Sequence, residues 1–334
     1  MQWYYGFDFG SDSLRFVDAS GEIKTEAAWA AVRRGEEAPF AYGDKAYSFL
    51  GRESGGITLK QCMRGGVPLD PELMRRLVVR MMGGADRTLL RRRRALIALS
   101  PTVCDSVREH MITTVLGDSM DMIGAVPMDM AAALGAELDV MGDSGSFLVD
   151  MGAERMTFSV IAGGRRVRLN LLPYGMDRAD EAIMDKVREH EGVIITRRVA
   201  RLLKHSAFTG TGKDAKLPVF DPYDRLPKYK QIDPALAQDS LNEIVAGVLE
   251  LCKSAIGGLS PELSGDLETN GITLVGGGSL LSGMDVCLSE ELKLPVTASR
   301  WPTEAVARGL ALILKQSELF SPLIIDWREG SLRL

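Results

Sequence analysis

Residues Tyr4–Asp18 read YYGFDFGSDSLRFVD: aromatic and β-branched residues flank a Gly-Ser-Asp-Ser turn. That is the pattern of two short strands joined by a tight polar connection. The same shape returns at Ser146–Ile161, SFLVDMGAERMTFSVI, where an apolar run ends in Asp150, passes Gly152 and resumes as an alternating strand. Two such hairpins in one chain predict an internal duplication. After the first, the periodicity predicts a helix at Leu73–Met82, a strand at Arg94–Leu99, a helix at Ser106–Leu116 and an Ala-rich helix at Met130–Leu138. After the second it predicts a strand at Val167–Leu172 and helices at Asp177–Glu189, Thr196–His205 and Leu236–Ala255. The last section reads as strand Ile272–Val275, glycines 276–278, helix Met284–Glu291, strand Val296–Ala298 and helix Pro302–Lys315. Strands alternating with helices in two halves imply an α/β protein of two lobes with a cleft between them, divided near Met141–Gly145.

Composition narrows the function. The 334 residues are 46% hydrophobic and 25% charged, which suits a folded globular chain of more than one lobe. A net charge of −5 gives no overall electrostatic reason to expect nucleic acid as a partner. Cys62, Cys104, Cys252 and Cys287 show no C-x-x-C spacing, and His110, His190 and His205 form no zinc-type pair. The cysteines are expected as buried, reduced thiols of a cytoplasmic protein. No apolar run is long enough to span a membrane, and no signal peptide is read at the N-terminus.

Three loops carry the candidate chemistry. Asp8 ends the first strand and is followed by Gly10, Ser11, Asp12 and Ser13. A glycine turn lets backbone N–H groups approach a phosphate, hydroxyls add donors, and a strand-end carboxylate can hold the water shell of magnesium. A hairpin turn that simply favours Gly, Ser and Asp explains the same residues. Gly276, Gly277 and Gly278 lie between a strand and a helical pattern, where they either admit a nucleotide against the backbone or allow tight packing. Asp150 and Gly152 repeat the first hairpin, but Ala153, Glu154, Arg155 and Met156 make a bulky, partly anionic turn. Gly210-Thr211-Gly212-Lys213 is not a P-loop: the first glycine of that motif would fall on Ala207, and Asp214 replaces the hydroxyl residue.

The ordered segments GFDFGSDS, Gly43–Asp70, MAAALGAELDV, VDMGAERMTFSVI, DEAIMDKV and GITLVGGGSLLSGMD resemble MreB-type bacterial actins across almost the whole chain. The resemblance implies an actin-like fold, two RNase-H-like lobes around a nucleotide cleft. The first lobe would be 1–143 with a small subdomain about 26–70, the second 144–320 with one about 178–240, and 321–334 a tail. It further implies ATP or ADP with magnesium, held by Asp8 and Asp150 and the glycine loops, and head-to-tail self-association through Ala41–Gly56 and Gly210–Pro234. Other MreB-like proteins, cell-wall synthesis proteins and the inner membrane surface are the partners it implies, in a role organising rod shape. An active ATPase of the actin, sugar-kinase and DnaK superfold is the competing reading.

Departures from the family bear on hydrolysis. Where the family has Glu-Glu-Pro before the Ala-rich helix, this chain has Pro127-Met128-Asp129, leaving Asp129 as the candidate catalytic carboxylate. The second phosphate hairpin is replaced by Asp150–Met156, and a glutamate pair near the nucleoside aligns with Arg201-Leu202. Hydrolysis is therefore expected to be weak or absent. Residues 64–94 hold nine arginines and three acids, and 121–154 seven acids and no Lys or Arg. Either these are solvated faces or they are complementary patches for protomer contacts. Trp3, Tyr4 and Tyr5 either cover the edge of the first sheet or lie on a membrane.

Overall fold

The computed structural model describes residues 3–36, 38–51, 56–83, 94–117, 120–209 and 216–327. In chain order the first part holds β1 (Tyr5–Phe9), β2 (Ser13–Val17), β3 (Ile23–Ala27), β4 (Trp29–Arg33), β5 (Pro39–Tyr42), α1 (Gly43–Tyr47), β6 (Ile57–Gln61), β7 (Met63–Arg64), β8 (Val67–Pro68), α2 (Pro71–Met81), β9 (Arg94–Leu99), α3 (Asp105–Met111), β10 (Met122–Pro127) and α4 (Met128–Gly135). Next come β11 (Ser146–Met151), β12 (Met156–Ala162), β13 (Arg165–Leu172), α5 (Met176–Glu191), α6 (Arg197–Thr209), β14 (Lys216–Asp221), β15 (Leu226–Gln231), α7 (Ala235–Ile256) and α8 (Pro261–Asn270). The chain ends with β16 (Ile272–Val275), α9 (Met284–Leu292), β17 (Val296–Ala298), α10 (Ala305–Lys315) and β18 (Ile325–Trp327).

Two compact units result: Met1–Leu148 with Ser159–Val167 and Ser299–Leu334, and Val149–Phe158 with Arg168–Ala298. Unit 1 is built on a six-stranded sheet of order β18-β10-β9-β1-β2-β3, parallel where β1 meets β9 and β9 meets β10. Residues alternate across each strand, so Phe7 and Phe9 of β1 join Leu14 and Phe16 of β2 in one core with Leu73, Met74 and Leu77 of α2. The opposite face of β1 presents Gly6 to α10, where an added Cβ would come within 3.1 Å of Leu310 Cβ. Asp8 follows Gly6 on that face by the same alternation. A three-stranded sheet, β5-β4-β6, forms a small subdomain with its own core of Ala31, Ala41 and Ala46.

Trp3 is 3% exposed and packs over Gly124 of β10; β1 lies inside the sheet, with β9 and β2 as neighbours. Neither a membrane nor a sheet edge is needed to cover Trp3. The helix expected over Ser106–Leu116 is α-helical only to Met111 and closes with a π-helical turn, Ile112–Leu116. The Ala-rich helix ends at Gly135: just beyond it Glu137 takes a left-handed φ of +66°, and the Leu138 N–H turns back to the Ala133 carbonyl. Cβ atoms added at Gly135 and Gly309 would overlap the carbonyls of Ala305 and Ala131. Strand β10 and helix α8 had no counterpart in the sequence reading.

Unit 2 centres on a five-stranded sheet, β13-β12-β11-β16-β17. Its polar segment 216–234 contains an antiparallel hairpin, β14 with β15, tied to the body by the Ile194–Phe220 bridge. Gly210–Ala215, with the rejected P-loop, lies outside the described residues, as do Arg91–Arg93 of the basic run and 52–55 of the first small subdomain. The cysteines are free, and the expectation of burial holds for Cys62 and Cys252; Cys104 is exposed at the start of α3.

Candidate functional site

The first hairpin places Asp8, Gly10, Ser11, Asp12 and Ser13 in unit 1. Gly10 is required by the turn, since a Cβ would stand 2.6 Å from the Ser13 carbonyl oxygen. The turn is anchored by the small subdomain: Gln61 Nε2 donates to the Ser11 carbonyl at 3.2 Å, and the Ala28 N–H donates to the Asp12 carbonyl at 3.0 Å. The strand register puts Asp8 directly opposite Arg15, and Arg15 Nη1 donates to Asp8 Oδ2 at 3.3 Å. Burial pushes the Asp8 carboxyl above its ordinary value, while the Arg15 guanidinium opposes that rise. A hydrated magnesium ion needs an oxygen donor with charge to offer. Asp8, 3% exposed and already balanced by Arg15, does not fit that need. Among the described residues, no group of three or more His, Cys, Asp or Glu is placed to hold a metal ion.

Asp129 lies in the first turn of α4 in the same unit and is 4% exposed. Its Oδ2 accepts from Ser159 Oγ at 3.1 Å and from Arg166 Nη1 at 3.2 Å, and its Oδ1 accepts from the Met130 N–H at 3.1 Å. A carboxylate so engaged directs its lone pairs at protein donors, Arg166 reaching Oδ1 as well at 3.3 Å. The sequence named Asp129 without its partners, because Ser159 and Arg166 reach it from distant strands.

Unit 2 brings the second hairpin and the glycine loop together. Gly276 has φ +82°, and a Cβ there would lie 2.5 Å from Asp150 Oδ1 and 2.7 Å from the Met151 carbonyl oxygen. A Cβ on Gly278 would lie 2.7 Å from Met151 Cβ and 2.9 Å from Met176 Sδ. Two of the three glycines thus answer to packing against Asp150-Met151. Gly277 meets nothing within 4 Å among the described residues, so of the three it alone leaves its Cβ direction open.

The turn after Gly152 is held from the other side by α5. The Met176 N–H donates to the Gly152 carbonyl at 3.0 Å and the Asp177 N–H to the Ala153 carbonyl at 2.8 Å. Two of the unpaired donors at a helix start, the usual attraction for phosphate, are therefore satisfied internally. Arg155 lies in the turn itself. Burial lowers its pKa, and the charges of Glu154 and Asp150 counter that effect.

Arg201, aligned with a family glutamate, belongs to an ion-pair network between α5 and α6. Its Nε stands 3.0 Å from Asp180 Oδ2, Lys204 Nζ stands 2.6 Å from Asp180 Oδ1, and Arg197 reaches Asp177 at 3.2 Å and Glu181 at 2.9 Å. Asp180 and Lys204 are buried. The sequence reading missed this network. Its signal was available as carboxylates at 177, 180 and 181 and cations at 197, 201 and 204, each set on one helix face.

The profile of the MreB/Mbl protein family matches residues 3–321. The cell shape-determining protein Mbl of Bacillus subtilis (strain 168) is 25% identical over 315 residues, 92% of this chain and 95% of that protein. In three dimensions the chain is similar to MreB5 of Spiroplasma citri bound to ADP, with a TM-score of 0.86 at 20% identity over 94% of this chain and 97% of that one. It is also similar to the MamK double helical filament protein, with a TM-score of 0.77 at 17% identity over 93% and 98%. The fold is actin-like.

Proposed function

The chain belongs to the MreB/Mbl family of cell-shape-determining actin homologues, and from that premise we propose that it is a self-associating scaffold with weak or absent nucleotide hydrolysis. Self-association finds support in the similarity to a filament-forming protein. Nucleotide binding finds support in the similarity to an ADP-bound one; the residues proposed to take phosphate are Asp8, Gly10, Ser11, Asp12 and Ser13 on the first hairpin, and Asp150, Gly152, Gly276, Gly277 and Gly278 on the second hairpin and the glycine loop. Cell-wall synthesis proteins, other MreB-like chains and the inner membrane surface are the partners such a scaffold would organise.

The observation that carries the hydrolysis reading is the state of Asp129. Hydrolysis requires a group that orients water in line with the γ-phosphate. Met128 offers no acceptor on its side chain, and Asp129 is bound to Arg166 and Ser159. The test is ATP turnover by the purified chain alongside sedimentation of its polymers. Polymers that pellet with nucleotide present while phosphate release stays at the buffer background are the expected result. Steady turnover that falls to background in Asp129→Asn would show instead that Asp129 serves as the catalytic carboxylate.

A further inference from the structure

We propose that Arg15 stands in the place of a divalent cation at the first hairpin, so that this chain takes the phosphate chain of a nucleotide without metal. The inference rests on the reading of that hairpin as the phosphate-facing one. Asp8 and Arg15 are cross-strand partners, so their side chains leave the sheet on the same face. Only 5% of the Asp8 side chain and 12% of the Arg15 side chain are exposed. Within that enclosure the Arg15 Nη1 to Asp8 Oδ2 contact is 3.3 Å, and Arg15 Nε is sealed from solvent with no acceptor among the described residues. The guanidinium is a fixed internal charge, unlike a solvated surface arginine.

Its presence changes what the hairpin can hold. A strand-end carboxylate recruits magnesium because its negative charge is unbalanced and its oxygens can accept from the ion's water shell. Here the charge is balanced before any ligand arrives, and a dication would have to sit beside a buried monocation. A guanidinium is itself a phosphate-binding group, with several donors in a planar fork and a charge that pH does not remove. The second hairpin carries the same substitution of type: Arg155 interacts electrostatically with Asp150, the strand-end carboxylate of that turn. Each hairpin thus brings its own cation, encoded in the sequence.

The test is calorimetric titration of ADP into the full chain in magnesium buffer and in EDTA, for wild type and for the variants Arg15→Gln, Arg15→Lys and Asp8→Asn. The expected wild-type affinity is the same in both buffers to within about twofold, with Arg15→Lys retaining metal-free binding and Arg15→Gln losing it by about tenfold or more in EDTA. The inference is overturned if EDTA weakens wild-type binding about tenfold or more and Asp8→Asn reproduces that loss. It is equally overturned if Arg15→Gln binds ADP in EDTA as wild type does, or if wild type binds none in either buffer. Should Arg15→Gln not fold, the wild-type comparison and Arg15→Lys decide the matter. Sedimentation of the same samples reads self-association separately. An assembling chain with magnesium-dependent affinity removes this inference alone, and metal-free binding by a chain that never assembles removes the scaffold reading alone.

Discussion

Gly276, Gly277 and Gly278 are adjacent, and each lacks a side chain in a different environment. Adding a Cβ at Gly278 pushes against Met151 and Met176, side chains of the unit 2 interior. Gly278→Ala is expected to destabilise unit 2 by about 2 kcal/mol through overpacking. Gly277→Ala, which meets no atom, should stay within about 0.5 kcal/mol of wild type in urea unfolding. A larger residue at 277 that leaves stability alone but weakens ADP binding would identify this position as the one facing the ligand. The cysteines make a second residue-scale contrast. Burial pushes the Cys62 and Cys252 thiols up to about 12. At exposed Cys104, hydrogen bonds from Ser106 and the Val107 N–H hold the thiol below its ordinary value. Thiolate is the reactive form. Iodoacetamide at neutral pH should therefore label Cys104 first, read by peptide mass, with Cys62 and Cys252 modified only after unfolding.

Helices α4 and α10 meet where Gly135 faces Ala305 and Gly309 faces Ala131, an approach so close that the Ala-rich sequence of α4 is a packing requirement. Helices α5 and α6 meet by the opposite strategy, through Asp177, Asp180 and Glu181 against Arg197, Arg201 and Lys204. The buried member of this network, Asp180 with Lys204, depends on both partners being present. His205 sits beside the network. Burial lowers its pKa first, Lys204 and Arg201 lower it further, and Asp180 opposes them. As pH falls through the ordinary value of 6.5, the unfolded chain takes up the proton before the folded chain does. Its stabilising contribution is therefore present above that value and lost as pH falls toward the depressed folded value. Thermal melts between neutral and mildly acidic pH should show a steeper loss for wild type than for His205→Gln. Equal slopes would mean that His205 titrates alike in both states.

At the largest scale, among the described residues β14, β15 and their connection carry a run of exposed apolar side chains. Phe220, Tyr223, Leu226 and Tyr229 are 41%, 90%, 56% and 75% exposed. Exposed aromatic clusters of this kind are characteristic of contact surfaces. The proposed head-to-tail assembly through 210–234 gives them a use. Replacing Tyr223 and Leu226 by Asp should abolish pelleting while leaving the melting temperature of the monomer within a few degrees, because neither side chain is part of the unit 2 core. If assembly also uses complementary charge, salt should weaken it in wild type. Unchanged pelleting by the double variant would move the contact to another surface. Among the described residues, no helix is long and apolar enough to cross a membrane.

Local elements and family membership are legible in the chain alone. Alternation and turn chemistry exposed both hairpins, and apolar periodicity exposed most helices, because these signals lie within a few residues of one another. Motif order along the chain then sufficed for the actin-like fold. Tertiary structure alone decided which charges meet. Asp129 finds Ser159 and Arg166 across the sheet of another hairpin, and Asp180 finds Arg201 and Lys204 on the next helix. Asp8 finds Arg15 only through a strand register that the turn length left open. It also separated Gly277 from the two glycines beside it, and buried Trp3 over Gly124. The physical reason is range: propensity and periodicity act between near neighbours, whereas burial and ion pairing depend on which distant segments the fold brings to the same point.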